Sequence, residues 1–232
     1  DRRQRQMCIR DRGMAVEIVD NHTLEAYARR IVAKVERFNK EYSAVTFTEP
    51  LPENIRPGHL IAADEPGPDV HISGCRMSGN RARGLLIGSR GRVIIENNYF
   101  HIAGASILFE GDGNFWFEQS GVRDVTIRNN IFANGNYGSR GWGSACIAVG
   151  SGISQRQTSR YHRNIQVDGN LFRVFDPRIV NLYCVDGFQF SASNRIVRTS
   201  DYPATFDPKL HFVFDQCDHI EIPRQIEMAE QR

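Results

Sequence analysis

The sequence predicts an all-β chain, a right-handed parallel β-helix that carries a small N-terminal β-subdomain. Three observations predict it. The first is a repeated phrase, apolar-x-apolar-x-x-Asn-x-aromatic. It reads Val93-Ile94-Ile95-Glu96-Asn97-Asn98-Tyr99-Phe100 and again Val125-Thr126-Ile127-Arg128-Asn129-Asn130-Ile131-Phe132. The second is the spacing of its copies. Starts at 70, 93, 125, 165, 188 and 220 lie 23, 32, 40, 23 and 32 residues apart, and the shortest interval suits one coil of a solenoid. The third is a second apolar segment between successive phrases: Leu85-Ile87, Ile107-Phe109, Ile147-Val149, Val180-Leu182 and Phe212-Phe214.

Each part of the phrase has a structural reading. Period-2 alternation marks a short strand with one face inward. The Asn marks a tight corner, because its side chain tolerates left-handed backbone and bonds neighbouring amides. The aromatic then returns to the core. A third copy uses Ile165, Val167, Asn170 and Phe172. A looser one uses Val70, Ile72, Cys75 and Met77, and one with an extra residue uses Phe188, Phe190, Asn194 and Ile196. Ile220 and Ile222 open a last one. A β-sandwich of short strands is the rival fold, but it does not explain Asn recurring at one register position.

The chain has 232 residues, 41% of them hydrophobic, enough for a sizeable core. Its net charge is +2 and the basic residues are dispersed, so nothing draws it to nucleic acid. No apolar run approaches a membrane span. No signal peptide is present in this chain. The five cysteines, Cys8, Cys75, Cys146, Cys184 and Cys217, have neither CxxC nor His pairing at zinc spacing and read as small buried thiols. No nucleotide-binding Gly loop, Ser-His-Asp spacing or metal-ligand cluster occurs, so neither metal nor organic cofactor is expected.

In chain order, residues 1–13 are basic and aperiodic, with Met7 to Arg12 similar to translated adaptor sequence, and read as a non-native or disordered arm. Residues 14–64 lack the Asn phrase. Leu24, Tyr27, Ile31, Val35 and Phe38 suit an amphipathic helix. A hairpin turning at Asn39-Lys40-Glu41 fits as well. The favoured reading is a small β-subdomain inserted between coils, walling one end of the rod. Pro66-Gly67-Pro68 leads into coils spanning 65–222, and 223–232 reads as a frayed tail or a truncated coil.

Chemistry is expected on the loops leaving the rod. In Glu110 to Gly121, three carboxylates (Glu110, Asp112, Glu118) flank Phe115-Trp116-Phe117. Aromatic faces suit the C–H side of a sugar, and paired carboxylates suit acid–base cleavage of a glycosidic bond. Asp112 and Glu118 are the catalytic candidates. Arg83, His101, Asn114, Trp116 and Trp142 are the substrate-binding candidates, on the expectation that stacked coils bring the Trp116 and Trp142 excursions side by side. Each residue also has a plainer reading, as a salt bridge, a core plug or a solvated acid. Asp168, Asp176 and Asp186 read as turn residues.

Arg81-Ala82-Arg83-Gly84-Leu85-Leu86-Ile87, the Val93 phrase, Ala103 to Gly121 with Trp116-Phe117-Glu118, Asp124 to Phe132, and Tyr161-His162-Arg163-Asn164-Ile165 together resemble the bacterial α-1,3-galactosidases. This is a glycoside hydrolase family with a right-handed parallel β-helix, and the resemblance covers most of residues 14–222. It implies removal of terminal α-1,3-linked galactose from a glycan, with inversion and without metal or cofactor. It also implies a periplasmic or secreted parent protein and admits a homo-oligomer. The family's Asp-rich motif ending in Asn-x-His-Gly is absent from this chain, and residues 14–64 resemble the insertion that follows it. The expectation is therefore the C-terminal portion of a longer enzyme, with Asp112 and Glu118 in the surviving half of a pocket and the chain inactive alone if the missing coils carry the acids. Two other readings stay open: a polysaccharide lyase or other β-helix depolymerase, and a non-catalytic carbohydrate-binding solenoid.

Overall fold

The computed structural model describes residues 12–65, 67–113, 121–138, 140–153, 155, 159–203 and 209–230. Among them there is no α-helix. Four strands come first: β1 (Ala15–Val19), β2 (Ala26–Arg37), β3 (Ser43–Phe47) and β4 (Leu60–Ala63). They form an antiparallel sheet in the order β3-β2-β1-β4. The segment that also suited a helix is thus a hairpin. Asn39 Oδ1 accepts from the amides of Glu41 and Tyr42 at 2.8 and 2.9 Å and closes its turn.

The remaining strands come in threes. A first rung holds β5 (Val70–Ser73), β6 (Arg76–Ser78) and β7 (Leu85–Ile87). The second holds β8 (Arg92–Glu96), β9 (Tyr99–His101) and β10 (Ile107–Gly111). The third holds β11 (Asp124–Arg128), β12 (Ile131–Ala133) and β13 (Ile147–Ser151). Then follow β14 (His162–Asp168), β15 (Leu171–Val174) and β16 (Arg178–Tyr183), and β17 (Val185–Phe190), β18 (Arg195–Arg198) and β19 (His211–Asp215). The sixth rung has β20 (Asp218–Glu221) and β21 (Met228–Glu230). Every third strand is a neighbour, giving three parallel sheets: β5-β8-β11-β14-β17-β20, β6-β9-β12-β15-β18-β21 and β7-β10-β13-β16-β19.

Register follows the phrase. Val70, Val93, Val125, Ile165, Phe188 and Ile220 align across the first sheet. Met77, Phe100, Phe132, Phe172, Ile196 and Met228 align across the second. Their inward side chains make one core, in which Phe100, Phe132 and Phe172 stack at 5.2 and 4.7 Å.

The corner between the first and second sheets is closed by an asparagine ladder. The backbone amide and side-chain amide of Asn98 both donate to Asn130 Oδ1, those of Asn130 to Asn170 Oδ1, and those of Asn170 to Asn194 Oδ1, all at 2.9–3.0 Å. The left-handed residue is the one before the ladder Asn: Gly74, Asn97, Asn129 and Gly169 have φ of +67°, +56°, +55° and +63°. The recurring Asn therefore ties rungs together, while its predecessor makes the turn. That division corrects the expectation that one Asn does both.

The small sheet lies along the corner between the third and first sheets, not across an end of the rod as expected. Arg90 forks onto Glu17 at 2.7 and 2.9 Å. Burial raises the pKa of that carboxyl, but the Arg90 hydrogen bonds together with the charges of Arg90, Arg123 and Arg29 outweigh it and leave it below the usual range. Ser159 Oγ donates to Thr23 O at 2.6 Å, and the Arg160 amide to Glu25 Oε1 at 2.7 Å. Leu24 and Leu60 pack with Ile153, Tyr161 and Cys184. Successive rungs are thus held by one sheet.

The cysteines differ from the expectation in part. Cys146 and Cys184 are buried, Cys217 is half-buried, and Cys75 is exposed; all four are free thiols. Cys75 is exposed because it stands in the ladder position of the first rung, where its amide donates to Asn98 Oδ1 at 2.9 Å and its side chain has no earlier rung to meet among the described residues.

Candidate functional site

Excursions leave both ends of the third-sheet strands. Alternation turns Ile107 and Phe109 inward, so Leu108 and Glu110 face outward. Leu86, Leu108, Ala148 and Asn181 line one outward row. At the start of these strands, the 134–146 excursion lays Trp142 over the previous rung. The Ala105 amide donates to Trp142 O at 3.2 Å. A Cβ at residue 104 would stand 2.2 Å from Ala82 O and 2.4 Å from Trp142 O, so only glycine permits that approach. The guanidinium carbons of Arg81 and Arg83 stand over the indole at 5.1 and 5.7 Å. Arg83 Nη2 reaches Glu110 Oε2 at 4.0 Å, both side chains being part-exposed. Asn181 Nδ2 donates to Ser144 Oγ. Asn181 Oδ1 and Arg83 Nε are buried and have no hydrogen-bond partner among the described residues.

Beneath this excursion, Asp176 is fully buried and forks onto Arg178, with Nε at 2.8 and 3.0 Å. It is therefore more than the turn residue expected. The same arginine donates through Nη2 to Asn136 O at 3.4 Å, which fixes the excursion to the rung below.

At the far end of the third sheet, the 112–123 excursion leaves β10. Its two stems rest on one residue. A Cβ at Gly111 would meet Tyr161 Cε2 at 2.5 Å, and one at Gly121 would meet Tyr161 O at 2.4 Å. Gly121 also has φ +53°. His162 Nδ1 accepts from the Val122 amide at 3.2 Å, which requires the Nε2–H tautomer, and Nε2 donates to Gly150 O at 3.2 Å. Burial holds the His162 pKa down at about 4, so the ring stays neutral. Next along the chain, Gly113 touches Leu24 and Leu60 of the small sheet. Asp112, half-buried, stands between these contacts.

The sequence candidates therefore divide. Arg83 and Trp142 come together. Asp112 belongs to the other corner, separated from the Trp142 corner by the five residues of β10, roughly 16 Å. His101 lies on the outer face of the second sheet, its Nδ1 2.8 Å from Ala133 O and its ring stacked on Tyr137. Asn114, Trp116 and Glu118 fall outside the described residues. Trp116 itself lies outside the described residues; the stems of the two excursions leave different corners of the rungs, one before and one after the third-sheet strands, which departs from the side-by-side expectation at the stems. The reason is that β13 divides the stretch that reads in sequence as one long insert, Gly135 to Tyr161. Glu110 and Asn181 were missed as contact residues. Strict alternation after Ile107 and Val180 would have placed both outward. Among the described residues, no three His, Cys, Asp or Glu side chains are grouped to hold a metal ion.

Known proteins match this chain along most of its length. Residues 4–61 match the family model described as GLAA-B beta-barrel domain II. The "Alpha-1,3-galactosidase A" of Shewanella woodyi is 38% identical over 192 residues, 82% of this chain and 31% of the relative. The "Alpha-1,3-galactosidase B" of Bacteroides thetaiotaomicron is 34% identical over 209 residues, 89% of this chain and 34% of the relative. That of Akkermansia muciniphila is 29% identical over 213 residues, 90% of this chain and 26% of the relative. The chain spans about a third of the length of these curated relatives. Over most of its own length, then, it is a homologue of the bacterial α-1,3-galactosidases.

Proposed function

We propose that this chain forms part of an exo-acting α-galactosidase that releases terminal α-1,3-linked galactose from a glycan with inversion. The observation that carries the reading is the similarity to proteins of that name across both the small sheet and the rungs. The outer face of the third sheet supports it. An indole face, two guanidinium groups, a carboxylate and a buried amide are the groups a pyranose needs for its C–H face and its hydroxyls. The three sheets close as a right-handed parallel β-helix in this reading, because crossovers between parallel strands are right-handed in about 98% of cases. The small sheet is an insertion between its coils.

Asp112 and Glu118 supply the acid and base, or bind the hydroxyls beside the scissile bond. Inversion requires the two carboxyl groups to stand roughly 6.5–9.5 Å apart, with a water between the base and the anomeric carbon. One carboxylic acid protonates the leaving oxygen as the carboxylate takes a proton from that water. Glu110, two residues before Asp112, orients the galactose, and Arg83 and Trp142, toward the other corner, hold the sugar on the leaving side of the bond.

The test is proton NMR of the protein with an α-1,3-linked galactose disaccharide. Galactose appearing first as the β-anomer supports the proposal, and first appearance of the α-anomer overturns inversion. Binding without release favours the carbohydrate-binding reading, and activity that vanishes with chelator favours the lyase. In the active protein, Glu118→Gln lowers turnover by about 10³-fold if it transfers a proton. Retained turnover removes Glu118 from the mechanism.

A further inference from the structure

The 134–146 excursion builds a second aromatic surface that the proposed galactose site does not use. Tyr137 and Tyr202 are 41% and 38% exposed. Their rings lie 6.2 Å apart and within 11° of parallel. His101 backs both, with centroids 5.0 Å from Tyr137 and 6.4 Å from Tyr202. Its own ring is fixed on Ala133 O, and the buried Phe175 supports Tyr202 at 5.1 Å. The three near-parallel rings stack with offset centres into one cluster.

The stems are locked to each other. Thr199 Oγ1 donates to Asn134 Oδ1 at 2.6 Å, and Asn134 Nδ2 donates to Asp201 Oδ2 at 2.7 Å. This joins the segment bearing Tyr202 to the one bearing Tyr137. Asn134 and Asn136 both hold left-handed backbone, φ +45° and +63°. An exposed tyrosine pair has no packing reason to be so constrained.

The surface adjoins the galactose site. Gly138 donates to Ala103 O at 2.7 Å, and Ala105 donates to Trp142 O at 3.2 Å, so both lie against the single segment 101–105. From His101 to Ala105 the chain can span at most about 14 Å. An oligosaccharide whose leaving-side unit lies by Trp142 has its further units within reach of the tyrosines.

We propose that Tyr137 and Tyr202, backed by His101, are a second sugar-stacking platform for the glycan units beyond the terminal galactose. The proposal rests on the galactosidase reading for the identity of the sugar. The rings stack on pyranose C–H faces, and their phenol groups, at the wet edge, hydrogen-bond to hydroxyls.

Calorimetry of the protein with free galactose and with a galactose-terminated α-1,3-linked trisaccharide tests it. Tyr137→Ala and Tyr202→Ala each weaken trisaccharide binding about tenfold, the order of one lost stacking contact, and leave galactose binding within about twofold. Tyr137→Phe, which keeps the ring, stays within about threefold of the parent. Unchanged trisaccharide affinity in the double alanine variant overturns the platform, and so does an equal loss for both probes. Should a variant not fold, tyrosine ring proton shifts in the parent protein give the same readout: they must move with the trisaccharide and stay still with galactose. A parent protein that binds the trisaccharide but never releases galactose sinks the hydrolase reading and leaves the platform standing. One that binds neither probe ends the platform as well.

Discussion

The corner between the first and second sheets and the corner between the second and third are built by opposite strategies. The former is the same short turn in four successive rungs, Gly74-Cys75, Asn97-Asn98, Asn129-Asn130 and Gly169-Asn170. The latter swells from 175–177 in one rung to 134–146 in another. In the first, each rung's polar side chain satisfies the preceding rung's backbone, so any deviation orphans a buried group. In the second, each excursion is pinned by its own contacts: Asp176–Arg178, Thr199–Asn134, Trp142 on Ala105. Repetition carries stability, and variation is confined to where it does not interrupt the ladder.

That contrast can be broken most sharply at its strongest point. Asn130→Ala leaves the Asn98 amide and Ile95 O unpaired in the core and should cost about 4 kcal/mol, lowering Tm by roughly 10 °C in calorimetry. A loss no larger than that of half-buried Asn194→Ala would mean the ladder is not cooperative. Next is acid. The folded pKa of His162 is about 4, against about 6.5 when unfolded, so its contribution is fully present above pH 6.5 and disappears as pH falls toward 4. Denaturation at pH 7.5 and 4.5 should differ by up to about 3 kcal/mol from this group, and His162→Gln should flatten that slope. Gly121→Ala, strained at φ +53° and jammed against Tyr161 O, should cost about 2 kcal/mol. Hydrogen exchange should then quicken in 111–123 and stay unchanged along the ladder; equal quickening in both would deny that excursions are independent of it. Smallest is alkylation. Cys75 should label in the native protein without loss of stability, whereas Cys146, its thiol pushed up to about 12 by burial and then by Asp176, should label only on unfolding.

The same contrast explains what could be read from sequence. Rung starts at 70, 93, 125, 165, 188 and 220 align as the spacing implied, because identical environments demand like residues at like positions. The second apolar segments were legible for the same reason. The excursions obey no period. Val149 and its neighbours were seen as a strand, yet the stretch around them was still taken as one insert, which misplaced Trp142 relative to Asp112. The Tyr137–Tyr202 pairing joins residues from different rungs and left no local signal. Asn114, Trp116 and Glu118 lie outside the described residues, so their part in the site rests on sequence.

Tyr161 holds both stems of the 112–123 excursion, and the same excursion leans at Gly113 on Leu24 and Leu60. The four-stranded sheet is in this sense a tuning peg. Repacking Leu24 or Leu60 would shift the Gly111–Gly113 stem from the side, so in the proposed reading the aim of Asp112 is set by a sheet that lies outside the rungs.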